Sequence, residues 1–331
     1  MVSTLLLTSQ DIVNLASPEE YISAVRRGYE QQGNGAQIMP RASLFSKEPP
    51  GKLTGYSAIL PKDGVMGGYL YSAGFSSKDA WFFTSIFDSN TGEPLAILDG
   101  ASMNPYKTGA VGALGVDVLA RKKVSKLAVI GSGPQAISQL NAALTIREFN
   151  EICVYSPTRK NREYFANSFN KNSNLSVTSV NSSKEAVSGA DVVITATNSS
   201  TPVFSYDHLS PGAHITAVGQ YHPFKRELDE STIQNSVYVP DIRSRVLKDA
   251  GSFISAFNKG LIDENHIHAE LGEVIIGLAP GRSSNKELTV FDSGGTAIET
   301  ISSAYMLYKK ALDSGLGTTI EMEPASIAMQ R

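Results

Sequence analysis

The sequence has little cysteine and no long apolar run. Cys153 is the only cysteine among the 331 residues and lies in a predicted core strand, so it can form neither a disulfide within the chain nor a cysteine metal cluster. No stretch approaches the roughly 20 apolar residues that a membrane helix needs. The segment Met1 to Leu7 is too short and uncharged for a signal peptide and is predicted to be an edge strand. These absences predict a cytoplasmic protein with no membrane partner.

The sequence also lacks an excess of either charge. Lysine and arginine total 29 against 32 aspartates and glutamates, which leaves a net charge of −3 and no basic surplus for nucleic acid. The five histidines show no metal-ligand spacing, and no Gly-x-Ser-x-Gly nucleophile motif occurs. We therefore expect no metal and no nucleic-acid partner. The length favours two lobes rather than one core.

What the sequence does contain is a glycine turn between a strand and a helix. The apolar run Leu127–Ile130 leads into Gly131-Ser132-Gly133, and a helical pattern of alanine, isoleucine and leucine follows. Glycines allow the tight turn and the close approach of a pyrophosphate, which the helix N-terminus then binds. Ala136 fills the third small position of the motif. The predicted dinucleotide-binding residues of this turn are Gly131, Ser132, Gly133, Pro134 and Gln135.

The end of the next strand predicts which dinucleotide binds. Chains that bind NAD usually place an acid there to accept the ribose hydroxyl, but Glu151–Tyr155 is followed by Ser156-Pro157-Thr158-Arg159-Lys160-Asn161-Arg162. Hydroxyls and cations suit a 2′-phosphate, and the alternative is a basic, solvated start to a helix. We therefore predict NADP(H) rather than NAD(H), held in part by Ser156, Thr158 and Arg159.

Two patterns of strands divide the chain. Five predicted strands follow one another without helices and indicate a largely antiparallel sheet: Arg41–Phe45, Leu53–Leu60, Gly68–Ser72, Trp81–Phe87 and Pro94–Leu98. A small-residue helix is predicted from Lys107 to Ala120. Strands then alternate with helices, which predicts a parallel doubly wound sheet: Leu127–Ile130, Ile152–Tyr155, Leu175–Val180, Val192–Ala196, His214–Val218, Ser236–Val239 and Leu288–Phe291. A last helix is predicted from Thr296 to Leu312.

The carboxyl edge of such a sheet is where ligands bind. Thr197 and Asn198 follow one predicted strand, and Val218 and Gly219 end the next. We expect these four residues to line the cofactor. Ser293 and Gly294 are expected to close over the nicotinamide, unless they simply form a turn before the last helix.

These residues together resemble a known family, that of ornithine cyclodeaminase and mu-crystallin. The matching segments are Pro40-Arg41, Phe87-Asp88 with Thr91–Pro94, Ile130–Gly133, Gly219–Asp229, Ala269–Val274 with Pro280–Arg282, and Phe291–Glu299. The resemblance implies a Rossmann-type parallel sheet inserted in a discontinuous α+β domain, and a homodimer. The implied substrate-binding and dimerisation domain is 1–118 plus 300–331, and the implied nucleotide-binding domain is 119–299.

The resemblance also implies a substrate site. Arg41 matches the family's carboxylate-binding arginine, and Asp229 matches its acid/base aspartate, although Asp229 equally suits a helix N-cap. Lys107 stands where relatives carry arginine, so the positive charge stays but the bidentate fork is lost. Tyr69 stands where they carry lysine, with Tyr71 as the alternative register. Tyr69 is as plausible in ordinary strand packing as in catalysis.

The predicted function is an NADP(H)-dependent oxidoreductase of small imino or amino acids, similar to ketimine or Δ1-pyrroline-2-carboxylate reductases. Arg41 and Lys107 would hold the substrate carboxylate, and Asp229 would transfer the proton. Three alternatives stay open. They are a cyclodeaminase that recycles NAD(H) and releases ammonia, an alanine dehydrogenase-like enzyme, and a non-catalytic NADPH-dependent binding protein of the crystallin type.

Overall fold

The structure is a computed structural model that describes residues 1–76, 79–172 and 176–329. Its strands are β1 Val2–Leu7, β2 Ile38–Ser46, β3 Gly51–Leu60, β4 Val65–Ala73, β5 Ala80–Asp88, β6 Pro94–Asp99, β7 Lys126–Ile130, β8 Glu151–Tyr155, β9 Val177–Ser179, β10 Val192–Thr195, β11 His214–Ala217, β12 Ser236–Pro240, β13 Leu288–Asp292 and β14 Thr318–Met322. Its helices are α1 Ser9–Ile12, α2 Pro18–Gly33, α3 Gly100–Leu119, α4 Pro134–Ile146, α5 Arg159–Asn172, α6 Ser183–Val187, α7 Glu230–Gln234, α8 Val246–Asp249, α9 Gly251–Asn258, α10 Leu271–Ile275, α11 Ala297–Ser314 and α12 Ala325–Ala328. The predicted strand Leu175–Val180 corresponds to β9, and its first residue, Leu175, lies outside the described residues.

The chain forms two compact units. The first unit is Met1–Lys107 with Thr296–Arg331, and the second is Thr108–Gly295. These divisions fall 11 and 4 residues before the predicted ones (107 against 118, and 295 against 299). The first division lies inside α3, which therefore begins in one unit and ends in the other.

The sheet of the first unit is largely antiparallel, as predicted. Its strand order is β14-β1-β6-β5-β4-β3-β2, and among the described pairs only β1 with β6 is parallel. The prediction that the first strand lies at an edge was wrong. β14 pairs with β1 on its other side, from Val2↔Met322 to Leu6↔Thr318, so the N-terminal strand is internal.

Helix α11 packs against one face of this sheet, and α2 packs against α11. Gly28 in α2 allows the close approach, because a Cβ there would lie 2.1 Å from the Ser302 hydroxyl in α11. Both helices begin with a capping box, Ser17 with Glu20 in α2 and Thr296 with Glu299 in α11. The box at Thr296 confirms where the predicted last helix begins.

The other face of the same sheet is apolar and exposed. Alternate residues of neighbouring strands point to this face because side chains alternate along a strand. A groove of about 760 Å³ runs along β2 to β5 and includes Met39, Ser57, Met66 and Phe87 in its lining. The large apolar side chains here, each at least 41% exposed, are Leu44, Leu53, Ile59, Leu70, Trp81 and Phe83.

The sheet of the second unit is parallel, in the order β12-β13-β11-β10-β7-β8-β9. Alternate residues of β7 enter two separate apolar cores, Ala128 and Ile130 in one and Leu127 and Val129 in the other. The sheet is therefore buried on both faces, which explains its continuous apolar runs. The predicted Rossmann-type doubly wound fold is confirmed, and Cys153 is a free cysteine buried in β8, as expected.

Helix α3 begins earlier than the sequence indicated. The prediction placed its start at Lys107, but the structure places it at Gly100. Asp99 caps this end, since its carboxylate accepts hydrogen bonds from the backbone N–H groups of Ala101 and Ser102. The helix then passes through Pro105 without ending. Lys107 thus lies two turns inside a helix rather than at its start.

Two further features concern ions and membranes. Within the described ranges, no helix is long and apolar enough to cross a membrane. Across the same residues, no group of three or more histidine, cysteine, aspartate or glutamate side chains could hold a metal ion. The cytoplasmic location stays a prediction.

Candidate active site

The glycine turn of the second unit has the shape that a pyrophosphate needs. Gly131 has φ +122°, and a Cβ there would lie 2.4 Å from the carbonyl oxygen of Ala196, so glycine is required. Gly133 is the N-cap of α4, and a Cβ there would meet nothing within 4 Å. No side chain caps this helix, and Pro134 is its first residue. The N-terminal N–H groups of α4 are therefore open to an anion.

The end of β8 joins this turn through hydroxyl groups. Ser132 donates a hydrogen bond to the Ser156 hydroxyl at 2.9 Å. Arg162 is not available as a phosphate ligand in the way the sequence suggested, because its guanidinium donates to the Ser156 carbonyl at 3.0 Å and to Asn181. Arg159 is exposed and pairs with Glu163 one helical turn away, at 2.7 Å. Thr158 and Lys160 are also exposed. Of the basic run, Arg159 and Lys160 remain on the surface.

A buried glutamate that the sequence analysis missed fixes the carboxyl edge. Glu227 is fully buried and accepts hydrogen bonds from the Thr195 hydroxyl at 2.7 Å, the Thr197 N–H at 2.6 Å and the Gly219 N–H at 2.8 Å. Burial raises the pKa of this carboxyl, against the effect of those donors. The glutamate thereby joins the ends of β10 and β11. Of the predicted lining residues, Val218 is buried and Asn198 is exposed.

The loop at Ser293 and Gly294 is held by a second buried carboxylate. One oxygen of Asp241 accepts from the N–H groups of Gly294 at 2.7 Å and Gly295 at 2.8 Å. Its other oxygen pairs with Arg245, whose guanidinium also pairs with Asp292. A Cβ on Gly294 would lie 2.3 Å from that guanidinium carbon, so the loop lies directly against it.

Asp229 has the structural surroundings of a helix cap. One oxygen accepts from the Thr232 N–H at 2.8 Å and from its hydroxyl at 2.6 Å, which caps α7. The other oxygen accepts from the Tyr206 N–H at 2.9 Å. These bonds agree with the structural alternative for this residue, and its acid/base role stays a prediction.

Lys107 is the buried cation of the first unit. Its side chain is 3% exposed, and its ammonium lies 4.0 Å from an oxygen of Glu299 and 5.3 Å from the centre of the Tyr69 ring. Burial lowers the pKa of Lys107, the Glu299 charge opposes this, and Arg41 adds to it. Glu299 is itself held by the Thr296 N–H at 2.7 Å and the Tyr29 hydroxyl at 3.2 Å.

The ring of Tyr69 lies beside this lysine, and the ring of the alternative, Tyr71, lies 5.9 Å from that of Tyr69. Tyr69 is 2% exposed, and within the described part of the chain its hydroxyl has no hydrogen-bond partner. The Thr84 hydroxyl, on the paired residue of β5, is likewise buried without a partner there. Burial raises the pKa of Tyr69 above its ordinary value, so this phenol stays neutral and can donate or accept a hydrogen bond.

The residues around Tyr69 are aromatic. Its ring lies 5.2 Å from that of Tyr56 and 5.7 Å from that of Phe82. The guanidinium of Arg41, on β2, lies 5.7 Å from the centre of the Tyr56 ring. The first unit therefore brings Arg41, Lys107 and Tyr69 into one cluster, linked through aromatic rings. This cluster combines two cations with an apolar wall.

The second unit fits a pyridine dinucleotide by its own geometry. The open face of Gly133, the uncapped N-terminus of α4 and the hydroxyl pair of Ser132 and Ser156 all lie at the carboxyl edge of the parallel sheet. These features favour one anionic ligand that runs along this edge.

The comparison with protein families agrees with the sequence resemblance. The model of the ornithine cyclodeaminase/mu-crystallin family matches residues 2–315. The chain belongs to this family. The predicted family membership is therefore confirmed over almost the whole chain.

Three similar proteins have stated activities. A Δ1-pyrroline-2-carboxylate reductase from Bacillus cereus is 37% identical over 235 residues, which are 71% of this chain and 72% of that protein. An alanine dehydrogenase from Archaeoglobus fulgidus is 33% identical over 326 residues, which are 97% of this chain and 99% of that one. The solved Δ1-pyrroline-2-carboxylate reductase of Thermococcus litoralis, in complex with NADH and L-proline, has a TM-score of 0.90 and 32% identity, covering 96% of this chain and 100% of that chain.

Proposed function

We propose that this family member is an NADP(H)-dependent reductase of small imino acids, of the ketimine or Δ1-pyrroline-2-carboxylate type. The observation that carries the proposal is the open glycine turn, with Gly133 facing free space at the uncapped N-terminus of α4. When bound, the reduced nicotinamide supplies a hydride to the carbon of a C=N bond. The similarity to pyrroline-2-carboxylate reductases supports this choice of reaction.

The side chains of the first unit have the chemistry of a carboxylate site. Arg41 and Lys107 supply the positive charge, and a buried cation gains more from a carboxylate than an exposed one does. Tyr69 offers a neutral phenol to the same ligand, and Tyr56 and Phe82 offer apolar surface. Asp229 is proposed to transfer the proton that the substrate nitrogen requires, directly or through water. A monocarboxylate with a small apolar body fits this cluster.

The test of the reaction is spectrophotometric. The purified protein is mixed with NADPH and Δ1-pyrroline-2-carboxylate, or with pyruvate and methylamine, and the loss of absorbance at the reduced nicotinamide band is followed. We expect net oxidation of the cofactor. Ammonia release from ornithine without net cofactor oxidation would instead identify a cyclodeaminase. Tight NADPH binding without turnover of any of these substrates would identify a binding protein.

The control for that test is the variant Gly133→Val. Because Gly133 has ordinary backbone angles and free space beside it, the variant is expected to fold like the parent. Its side chain would occupy the space that the pyrophosphate needs. We expect a small loss of thermal stability, because valine is a poorer N-cap residue than glycine, and the loss of cofactor binding and turnover together. Undiminished NADPH binding by this variant would contradict the proposed cofactor position.

An alanine dehydrogenase is the second candidate, favoured by the full-length similarity to the Archaeoglobus fulgidus enzyme. It would consume the reduced cofactor with pyruvate and ammonia rather than with a preformed imino acid. Comparing the kcat/KM of pyruvate plus ammonia with that of Δ1-pyrroline-2-carboxylate separates the two. We expect the cyclic imine to be preferred.

The choice of NADP(H) rests on Ser156, Thr158, Arg159 and the neighbouring Lys160. They place hydroxyls and cations, and no carboxylate, directly after β8. The Thermococcus litoralis relative was solved with NADH, so the preference needs a direct test. The variant Ser156→Asp would repel a 2′-phosphate and accept a ribose hydroxyl. A charge-assisted hydrogen bond contributes about 1.5–3 kcal/mol, so we expect NADPH to bind about ten- to a hundredfold more weakly.

The matched control for this variant is Ser188→Asp, which adds the same charge at an exposed position after α6. It should leave the affinities for both cofactors unchanged. A parent protein that binds NADH more tightly than NADPH would overturn the choice of cofactor and leave the reductase proposal in place.

The exposed apolar face of the first unit supports a homodimer. Isolated apolar side chains are ordinary on a surface, but a continuous face with Leu70, Trp81 and Phe83 is typical of an interface. We expect sedimentation equilibrium to give twice the chain mass for the parent protein and one chain mass for Trp81→Glu. Leu278→Glu, at a residue of the second unit that is 71% exposed, is the control that should stay dimeric.

A further inference from the structure

Gln220 is a buried glutamine whose amide nitrogen, but not its amide oxygen, makes a hydrogen bond within the described residues. It follows Gly219 just after β11, and its side chain is fully buried. Its nitrogen donates to the carboxylate of Asp292, at the end of the adjacent β13, at 2.6 Å. Within the described ranges, its amide oxygen is buried and accepts no hydrogen bond.

The orientation of this amide is fixed by its neighbours. The Asp292 oxygen that receives the Gln220 nitrogen also accepts from the Tyr238 hydroxyl at 2.5 Å. The other Asp292 oxygen pairs with Arg245. Because this carboxylate is an acceptor to all three groups, turning the amide over would bring two oxygens together. The free oxygen of Gln220 therefore keeps its place.

A buried carbonyl oxygen without a donor costs about 1–3 kcal/mol, and what distinguishes that of Gln220 is its place in the fold. This one lies at the carboxyl edge of a parallel sheet, where ligands bind. Two neighbouring backbone positions along the chain are already fixed: Gly219, the residue before Gln220, by Glu227, and Gly294, two residues after Asp292, by Asp241.

We propose that the Gln220 oxygen accepts a hydrogen bond from the carboxamide N–H of the nicotinamide, and that this bond fixes which face of the ring is presented. Nicotinamide carries an amide donor at its third ring position, and this edge of the second unit is where the proposed cofactor would place it. Asp292, Tyr238 and Arg245 then act as positioning residues, since they hold the Gln220 amide in the accepting orientation. The inference rests on the proposed pyridine-nucleotide binding and adds the recognition of the carboxamide.

The experiment compares NADP⁺ with its 3-acetylpyridine analogue, in which a methyl group replaces the amide nitrogen and the carbonyl oxygen is kept. The dissociation constants of both are measured by calorimetry for the parent protein and for Gln220→Met, whose side chain is apolar and similar in size. One neutral hydrogen bond contributes about 0.5–1.5 kcal/mol, so the parent should bind the analogue about three- to tenfold more weakly. In Gln220→Met the two dissociation constants should be nearly equal.

Gln139→Met provides a matched control within the same unit. Gln139 is also buried, its nitrogen donates to the Thr108 carbonyl at 2.6 Å, and its oxygen likewise has no partner among the described residues. This oxygen lies against Gly112 in the packing of α3 on α4, so replacing Gln139 should preserve the parent's discrimination. The variant Gln220→Asn keeps an amide, but its shorter side chain places the oxygen farther from the ligand. It should therefore bind NADP⁺ and the analogue almost equally, as Gln220→Met does.

Each result bears on the inference. A parent protein that binds the analogue as tightly as NADP⁺, or a Gln220→Met variant that keeps the parent's ratio, would overturn it and assign the free oxygen to a water molecule. If the parent binds neither NADP⁺ nor NAD⁺, the proposed function itself fails. Normal NADP⁺ binding with an unchanged ratio in both Gln220 variants would remove only the role of Gln220.

Discussion

Arg245 in the second unit and Lys107 in the first are both deeply buried, yet their environments differ. Arg245 pairs with Asp241 at 2.5 Å and with Asp249 at 2.8 Å, and also with Asp292. Lys107 has the Glu299 oxygen at 4.0 Å and the face of Tyr69 beneath it. Burial alone would lower the pKa of Arg245, but the three aspartates raise it well above its ordinary value, whereas burial lowers the pKa of Lys107.

The difference separates a charge that is part of the fold from one that we propose serves a ligand. One of the carboxylates that neutralise Arg245, Asp241, also holds the backbone of a loop, so this cation is part of the fold. Lys107 is close to a carboxylate that already accepts bonds from Thr296 and Tyr29, and its other neighbour is an aromatic ring. A substrate carboxylate would neutralise the charge of Lys107 as the three aspartates neutralise that of Arg245. Burial by itself does not distinguish the two roles.

The largest effect is expected for Arg245→Met. Removing this cation leaves Asp241 and Asp292 buried without their ion pair, and breaking a buried pair in this way costs about 3–5 kcal/mol. The free energy of unfolding, measured by urea titration and circular dichroism, should fall by that amount. A loss below about 1 kcal/mol would show that the network is not structural and would break the comparison with Lys107.

For Lys107→Met we expect a smaller effect on stability and a large effect on substrate binding. An apolar side chain of similar length avoids the cost of burying an ammonium, and Glu299 keeps its hydrogen bonds from Thr296 and Tyr29, so the free energy of unfolding should fall by less than it does in Arg245→Met. The KM for the imino acid should rise about ten- to a hundredfold, because a charged hydrogen bond contributes about 1.5–3 kcal/mol. Lys107→Arg should restore part of the affinity. Destabilisation of Lys107→Met as large as that of Arg245→Met would contradict our distinction.

His214 extends the comparison to a buried group that remains neutral. It lies between the hydroxyls of Thr289 and Thr216, each at 3.0 Å, and burial, aided by the Arg282 charge, lowers its pKa from 6.5 to about 3. The unfolded chain binds a proton there near pH 6.5 and the folded chain does not. The contribution of His214 to stability is therefore present above pH 6.5 and is lost as the pH falls toward 3, by about 1.4 kcal/mol per pH unit.

The measurement for His214 is the free energy of unfolding at pH 7, 6 and 5 for the parent and for His214→Gln. Since other groups titrate in both proteins, the informative quantity is the difference between their slopes. The parent should lose about 2 kcal/mol more than the variant over this range. Equal slopes would show that His214 takes up its proton in the folded state.

The smallest effect is expected at the surface pair of Arg159 and Glu163. Their side chains are 79% and 44% exposed, and exposed ion pairs contribute little to stability. Glu163→Gln should leave the melting temperature unchanged. By releasing Arg159 it should tighten NADPH binding less than about threefold and leave NADH binding as it was. A marked loss of stability would mean that this exposed pair behaves like the buried one at Arg245.

Local patterns in the sequence were enough to predict much of the fold. The glycine turn, the alternation of strands and helices after residue 120, and the start of the last helix at Thr296 each depend on neighbouring residues. The internal position of β1 was missed because it depends on β14, more than 300 residues away. The early start of α3 was missed because the signal is a single capping carboxylate, Asp99.

The candidate site was harder to predict for the same reason. Glu227 follows Lys225 and Arg226 in the sequence and looks like part of a solvated charged run. Its burial results from donors that converge from Thr195, Thr197 and Gly219, on two other strand ends. Arg162 looked like a phosphate ligand because a sequence gives its charge but not the direction of its side chain. Gln220 gave no signal, since only the three-dimensional structure shows an unused oxygen.

The pairing of β1 with β14 has a consequence for how the chain folds during synthesis. Residues 108–295 emerge from the ribosome as a complete unit, whereas the sheet of the first unit needs strands from both ends of the chain. Until Thr318–Met322 has been made, one edge of β1 is unpaired, and an unpaired edge can form hydrogen bonds with strands of other chains. Strand β1 is thus made long before its partner β14, and chaperones that bind unpaired strands would meet it during that interval.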